Sequence, residues 1–283
     1  MTYIEQSDRL AYSFSDPLEP FFCLVCHSRM SVSSPHAPLR VIAHRCLGFG
    51  HPENSEAALR AALAGDIDEV EIDFRATHDG ELVASHWDLF FDQYRLPRLV
   101  SQASLLTNQA RGLMSLEQCL EIFAELGAGK RLRIEVKSPG AEHAVCEAIT
   151  RYAILDRVVV VSWNPKVLHT LRTISSSLEL SFSYIMGLQG IWPLRFSFPR
   201  TIPAPLLDSF LRIRSVNIAP GVFSPTPDYV SELRSLGVEV FVVSRAGATN
   251  QEVERLLRLG VTGGLFSMFL STNRHTGPAT GEV

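Results

Sequence analysis

The stretch EVEIDFRATHDGELVASH, residues 69–86, decides the fold. Its first half is a strand-length run whose apolar residues alternate with Glu71 and Asp73. Residues two apart on a strand leave the same face, so those two carboxylates point together. Asp79-Gly80 is a tight-turn signal, which makes ELVASH the return arm of a hairpin. Outward from this unit, apolar, β-rich runs recur along the chain: RVIAH, RLRIEV, RVVVVS, ELSFSYI, RSVNIA, VEVFVVS and VTGGLFS. Runs apolar on both faces suit a buried parallel sheet.

Helical patterns separate several of the runs. SLEQCLEIFAEL offers Ser115 as an N-cap, ENSEAALRAALAG runs from Asn54 to a stop at Gly65, and NQEVERLLRLG runs from Asn250 to Gly260. With the hairpin arm set aside, eight strands with crossovers predict an α/β fold, a (β/α)8 TIM barrel over residues 40–283. A doubly wound open sheet is the alternative. Residues 1–39 read as an N-terminal extension ending in the Ser/Pro-rich SVSSPHAP, and residues 87–112 as a loop or small insertion over the barrel mouth.

Bulk properties narrow the function. A chain of 283 residues, 46% hydrophobic and 20% charged, can bury a sizeable core. A net charge of −4 without a long basic run argues against nucleic-acid binding but leaves room for a local phosphate pocket. No run approaches the ~20 apolar residues of a transmembrane span, and the acidic start lacks the pattern of a secretory signal. Five cysteines, an odd number, point to free thiols and a cytoplasmic setting. Cys23, Cys26 and His27 have haem-attachment spacing, but in a chain without an export signal they read as small hydrophobes.

The chemistry lies where polar residues meet strand ends. His44 and Arg45 follow the first run, Glu71 and Asp73 lie in the second, His86 ends the hairpin arm, and Glu135 and Lys137 close RLRIEV. In a barrel, the carboxyl ends of the strands form the active-site face. Any one of these residues alone reads as a solvated or packed side chain; their order on consecutive strands raises them to candidates. Carboxylates crowded in a low-dielectric mouth need a proton or cation between them. Three of them suit a hard divalent ion, Mg2+ or Ca2+, better than zinc.

The same residues carry a family resemblance. His44-Arg45, Pro52-Glu53-Asn54, Glu71-x-Asp73, Thr77-x-Asp79-Gly80, His86 and Glu135-x-Lys137 resemble the signature of the glycerophosphodiester phosphodiesterase family, over roughly residues 40–270. That resemblance implies a barrel phosphodiesterase in which Glu71, Asp73 and Glu135 hold the metal. It also implies His44 and His86 as acid and base in an unassigned order, and Arg45 and Lys137 on the phosphate. Trp163 stands at a substrate-contacting position of the pattern. Cys46, Trp87, Phe241, Ser244 and Phe266-Ser267 depart from it and would line the pocket, with Phe241 against the substrate. Nothing marks Cys46 as an activated nucleophile.

The implied substrate is a small-molecule or lipid-derived phosphodiester. An agrocinopine synthase-like transferase with a sugar hydroxyl as acceptor, and a non-catalytic phosphate-ester binding module, are the alternatives. Phe90, Phe91, Tyr94 and Leu96 crowd one loop and read as packing over the mouth rather than as a lipid contact.

Overall fold

The computed structural model describes residues 39–91, 97–186, 202–221, 223–244 and 246–267. The N-terminal extension up to residue 38, with its Cys23, Cys26 and His27, lies outside them, as do Tyr94 and Leu96 and the side chains of Phe90 and Phe91.

Eight parallel strands close on themselves: β1 (Arg40–Ala43), β2 (Glu69–Ala76), β6 (Arg131–Val136), β7 (Val158–Ser162), β8 (Glu179–Ile185), β9 (Ser215–Ala219), β10 (Glu239–Ser244) and β11 (Gly263–Phe266). Closure is explicit, because β1 pairs with both β11 and β2. The open-sheet alternative is thereby excluded. β3 (Leu82–Ala84) runs antiparallel to the end of β2, as the Asp79-Gly80 turn predicts. Asp79 accepts from the Thr77 hydroxyl and the Leu105 amide, and Gly80 takes the positive φ of 81° that the turn requires.

Alternation divides each strand between two cores. Val70, Ile72, Phe74, Leu132, Ile134 and Val136 face the helices and are buried in the main apolar cluster. Their alternates face the lumen. Ile42, Phe241 and Leu265 form a separate apolar plug there. Gly263 leaves room for that plug, since a Cβ at this position would lie 2.8 Å from the Phe241 ring. Beside the plug, Arg133 donates through Nε to Glu69 and reaches across the lumen to Asn217 Oδ1 at 3.2 Å. Its guanidinium stacks 4.1 Å from the centre of the Phe241 ring. Arg40 closes the layer, bonded to Glu69 at 3.0 Å and ion-paired with Glu239.

Around the barrel run α1 (Glu56–Ala64), α3 (Leu116–Leu126), α4 (Glu142–Arg151), α5 (Pro165–Ile174), α6 (Ala204–Leu207), α7 (Pro227–Ser235) and α8 (Asn250–Leu259). Ser115 caps α3 in a full capping box with Gln118, an arrangement that contributes about 1 kcal/mol. Two expected caps are displaced by one residue. Ser55 caps α1, because the Asn54 amide is bonded to Asp73, and Thr249 rather than Asn250 caps α8. Gly65 and Gly260 end those helices as expected, Gly260 in the left-handed conformation.

The weakly patterned residues 87–112 hold a hairpin of β4 (Leu89–Phe91) and β5 (Pro97–Leu99), followed by a 3-10 turn and α2 (Leu105–Gln109). Asp88 fastens this insertion by accepting from the amide and hydroxyl of Ser101.

Candidate active site

Glu71, Asp73 and Glu135 offer carboxylate oxygens within 4.8 Å of one another at the carboxyl end of β2 and β6. Strand register explains the meeting, because Asp73 pairs with Glu135 and both side chains face inward. Lys137 inserts between them, with Nζ 2.8 Å from Asp73 Oδ1 and 2.7 Å from Glu135 Oε1. Glu71 Oε2 accepts from the Arg45 amide at 2.8 Å, while its buried Oε1 has no hydrogen-bond partner among the described residues.

Electrostatics follows this arrangement. Burial first, and then the charges of Asp73 and Glu135, push the Glu71 carboxyl well above the usual carboxylate range. Burial likewise raises Glu135, partly offset by Lys137. Burial also acts to raise Asp73, but the Lys137 ammonium and Arg45 outweigh it and hold that carboxyl below its ordinary value. For Lys137, burial opposes the charged form and the three carboxylates overcome it, raising its pKa. With Glu53, which binds Arg45 at 3.0 Å, four carboxylates stand against the cations Arg45 and Lys137. With all four ionised, as cation binding requires, the two negative charges left over match one divalent cation. The lone oxygen of Glu71 and the all-oxygen donor set therefore fit Mg2+ or Ca2+.

Both candidate histidines border the cluster. His44 begins a 3-10 turn after β1 in which Arg45 and Cys46 adopt positive φ, 54° and 53°. That backbone turns the Arg45 amide to Glu71 and brings the guanidinium Nε within 3.4 Å of Asp73. His44 Nε2 lies 3.9 Å from Glu71 Oε2, and Nδ1 is 3.0 Å from the Ser267 hydroxyl. His86 follows β3; its carbonyl accepts two bonds from Arg75, its ring stands edge-on to Trp87, and its buried Nδ1 has no hydrogen-bond partner among the described residues. Burial, reinforced by Arg45 and Lys137, lowers His44 to about 3 and His86 to about 4, so both rings are neutral near pH 7.

Trp163 stands just beyond β7, at the same end of the barrel, and is 56% exposed. Phe241 is not brought to this site. It is fully buried in the lumen plug between Arg40 and Arg133, with no surface to offer a substrate. Cys46 and Phe266 are also fully buried, packed in the helix-facing core, so of the divergent positions these three do not line a pocket. Burial raises the Cys46 thiol well above its ordinary value, opposite to what a nucleophile needs. Two residues that the sequence pattern marks without a role of this kind act as supports. Asn54 exchanges two bonds of 3.1 Å with the amide and carboxylate of Asp73, and Ser267 holds His44.

Fold and site together define a (β/α)8-barrel enzyme with a carboxylate, imidazole and cation cluster at its mouth. Residues 44–266 match the model of the glycerophosphoryl diester phosphodiesterase family, and the chain belongs to that family of phosphoric diester hydrolases. A relative from Caldanaerobacter subterraneus, named glycerophosphodiester phosphodiesterase, is 26% identical over 241 residues, covering 79% of this chain and 91% of its own. A glycerophosphodiester phosphodiesterase structure from Parabacteroides distasonis superposes with a TM-score of 0.64 at 21% identity, covering 81% of this chain and 92% of that one. An Oleispira antarctica phosphodiesterase, solved with the product sn-glycerol-3-phosphate, gives 0.63 at 20% identity over 80% of this chain and 92% of its own. Among the described residues no helix is long and apolar enough to cross a membrane.

Proposed function

We propose that this protein hydrolyses a glycerophosphodiester to a phosphomonoester and an alcohol, with Glu71, Asp73 and Glu135 holding one divalent cation. The observation that carries the reading is the trio of buried carboxylates, short of positive charge, flanked by two imidazoles at the barrel mouth. When bound, the cation polarises the phosphoryl oxygens and offsets the charge gathered there during displacement. Arg45 and Lys137 orient the phosphodiester, the first through a planar fork and the second as a point charge. One imidazole takes a proton from water as the water oxygen bonds to phosphorus. The other delivers a proton to the alcohol oxygen as its bond to phosphorus breaks. The incoming phosphodiester anion favours the protonated form of the imidazole that acts as the acid. Trp163 offers an apolar plate beside the head group. We also place the protein in the cytoplasm, in keeping with the free thiols Cys46, Cys119 and Cys146.

Phosphorus NMR tests this reading. Protein incubated with a panel of glycerophosphodiesters and Mg2+ or Ca2+ is expected to release a phosphomonoester, and a chelator is expected to stop the release. A new phosphodiester signal that needs an added sugar would replace hydrolysis by transfer. Tight binding of the panel without turnover would replace both by a binding module.

A further inference from the structure

The strand seam where the barrel closes carries a contact that the catalytic set does not use. β1 and β11 pair in parallel, Ala43 opposite Phe266, so His44 and Ser267 each stand one residue past the paired ends. Ala43 and Phe266 face the helices, whereas Ile42 and Leu265 face the lumen. By alternation the next residues on both strands turn to the lumen side, and there His44 Nδ1 and Ser267 Oγ meet at 3.0 Å. The other ring nitrogen, Nε2, is directed at the carboxylate cluster, 3.9 Å from Glu71 Oε2.

We propose that Ser267 is a positioning residue that accepts a hydrogen bond from the Nδ1–H of His44 and so commits Nε2 to proton exchange with the substrate. The inference rests on the proposed role of His44. A neutral imidazole carries one proton, on either nitrogen, and the hydrogen bond made by one nitrogen sets the state of the other. If His44 is the base, Nε2 must be bare, which requires the proton on Nδ1. If His44 is the acid, it starts with both protons and gives up the one on Nε2, and Nδ1 again keeps its own. In either role the Nδ1 proton persists through the reaction, and the hydroxyl oxygen 3.0 Å from Nδ1 stands where it can accept that hydrogen bond. A hydroxyl can donate or accept, so Ser267 supports the Nδ1-protonated ring by accepting, without bringing a carboxylate's negative charge beside it. Orientation gains as well, because a ring free to turn about its side-chain bonds would present Nδ1 or a carbon edge to the phosphate.

Nitrogen-15 spectra of the histidine side chains in the full-length protein, free of substrate, read the tautomer directly. The wild type is expected to show His44, assigned by its loss in His44→Ala, with the proton on Nδ1; Ser267→Ala is expected to shift it toward a mixture, and Ser267→Thr to restore it. In turnover of a glycerophosphodiester, Ser267→Ala is expected to lower kcat about tenfold with KM within about twofold, the size of one net hydrogen bond. Ser267→Thr is expected to recover most of that loss. A wild-type ring protonated on Nε2, an unchanged tautomer in Ser267→Ala, or a loss confined to KM would each overturn the proposal. The underlying reading fails separately, if His44→Ala turns over like the wild type; an inactive His44→Ala beside an unaltered Ser267→Ala would remove the positioning role alone.

Discussion

The two halves of the barrel lumen are built from the same two strands and reach opposite electrostatic outcomes. Toward the amino ends, Glu69 of β2 meets Arg133 of β6 and Arg40 of β1 in a sealed layer under the Phe241 ring. Two and four residues further along β2, Glu71 and Asp73 meet Glu135 of β6, with Lys137 and Arg45 too few to balance them once Glu53 is included. In the lower layer burial would raise the Glu69 carboxyl, but Arg133 and Arg40 hold it below its ordinary value; in the upper layer Glu71 is driven up. One pleat step separates a matched layer from an unmatched one. A barrel can therefore carry its structural charge pairs and its reactive charge on the same strands, provided the register keeps them in different layers.

That contrast can be broken by substitution. Removing one upper carboxylate, Glu71→Gln, is expected to lower turnover by about a thousandfold, the scale of a lost electrostatic stabiliser. It should leave cation-free stability in urea unchanged or raised, because a crowded buried charge disappears. A strongly destabilised Glu71→Gln would show the upper layer to be structural after all. In the lower layer, Arg133→Met is expected to cost about 3–5 kcal/mol of unfolding free energy by stranding Glu69, and Glu69→Gln on top of it should return part of the loss. Recovery absent from the double variant, measured by denaturant titration, would argue against the pairing as the source.

Cation addition sharpens the comparison at smaller scale. Mg2+ or Ca2+ at about a hundred times its dissociation constant is expected to stabilise the wild type by about 2.7 kcal/mol. A thermal shift that survives in Glu135→Gln at the same size would place the ion elsewhere. The smallest effect concerns the two aromatic positions expected at the substrate. Trp163→Ala should raise KM about threefold with kcat intact, a loss on the scale of one aromatic contact. Phe241→Ala should leave KM alone and weaken the fold instead; steady-state kinetics paired with melting curves separates the two.

The eight strands, the hairpin and the principal candidates were legible because each rests on spacing within one short segment. What was not legible depends on closure. Glu69 and Arg133 share the two-residue rhythm of the site residues, and only the facing strand β9, with Asn217, makes that rhythm interior. Asn54 resembles a cap until Asp73, 19 residues away, takes its amide and leaves Ser55 to cap α1. Phe241 occupies a pattern position associated with substrate, but Gly263 opens a space for it inside the lumen. The insertion at 87–112 has too little apolar periodicity to announce a hairpin, since Asp79 and Asp88 fasten it through bonds to Leu105 and Ser101.

The seam between β1 and β11 also has a consequence in time. His44 and Ser267 are 223 positions apart, so their contact belongs to the most non-local class in the chain. Contacts of that kind carry a large loop-closure entropy and form late, after local hairpins and neighbouring strands have docked. A chain growing from its amino end would assemble the three carboxylates well before the last strand arrives to set the imidazole. Proton transfer would then switch on with the closing stitch of the fold, and catalytic onset during refolding would serve as a clock for that final step.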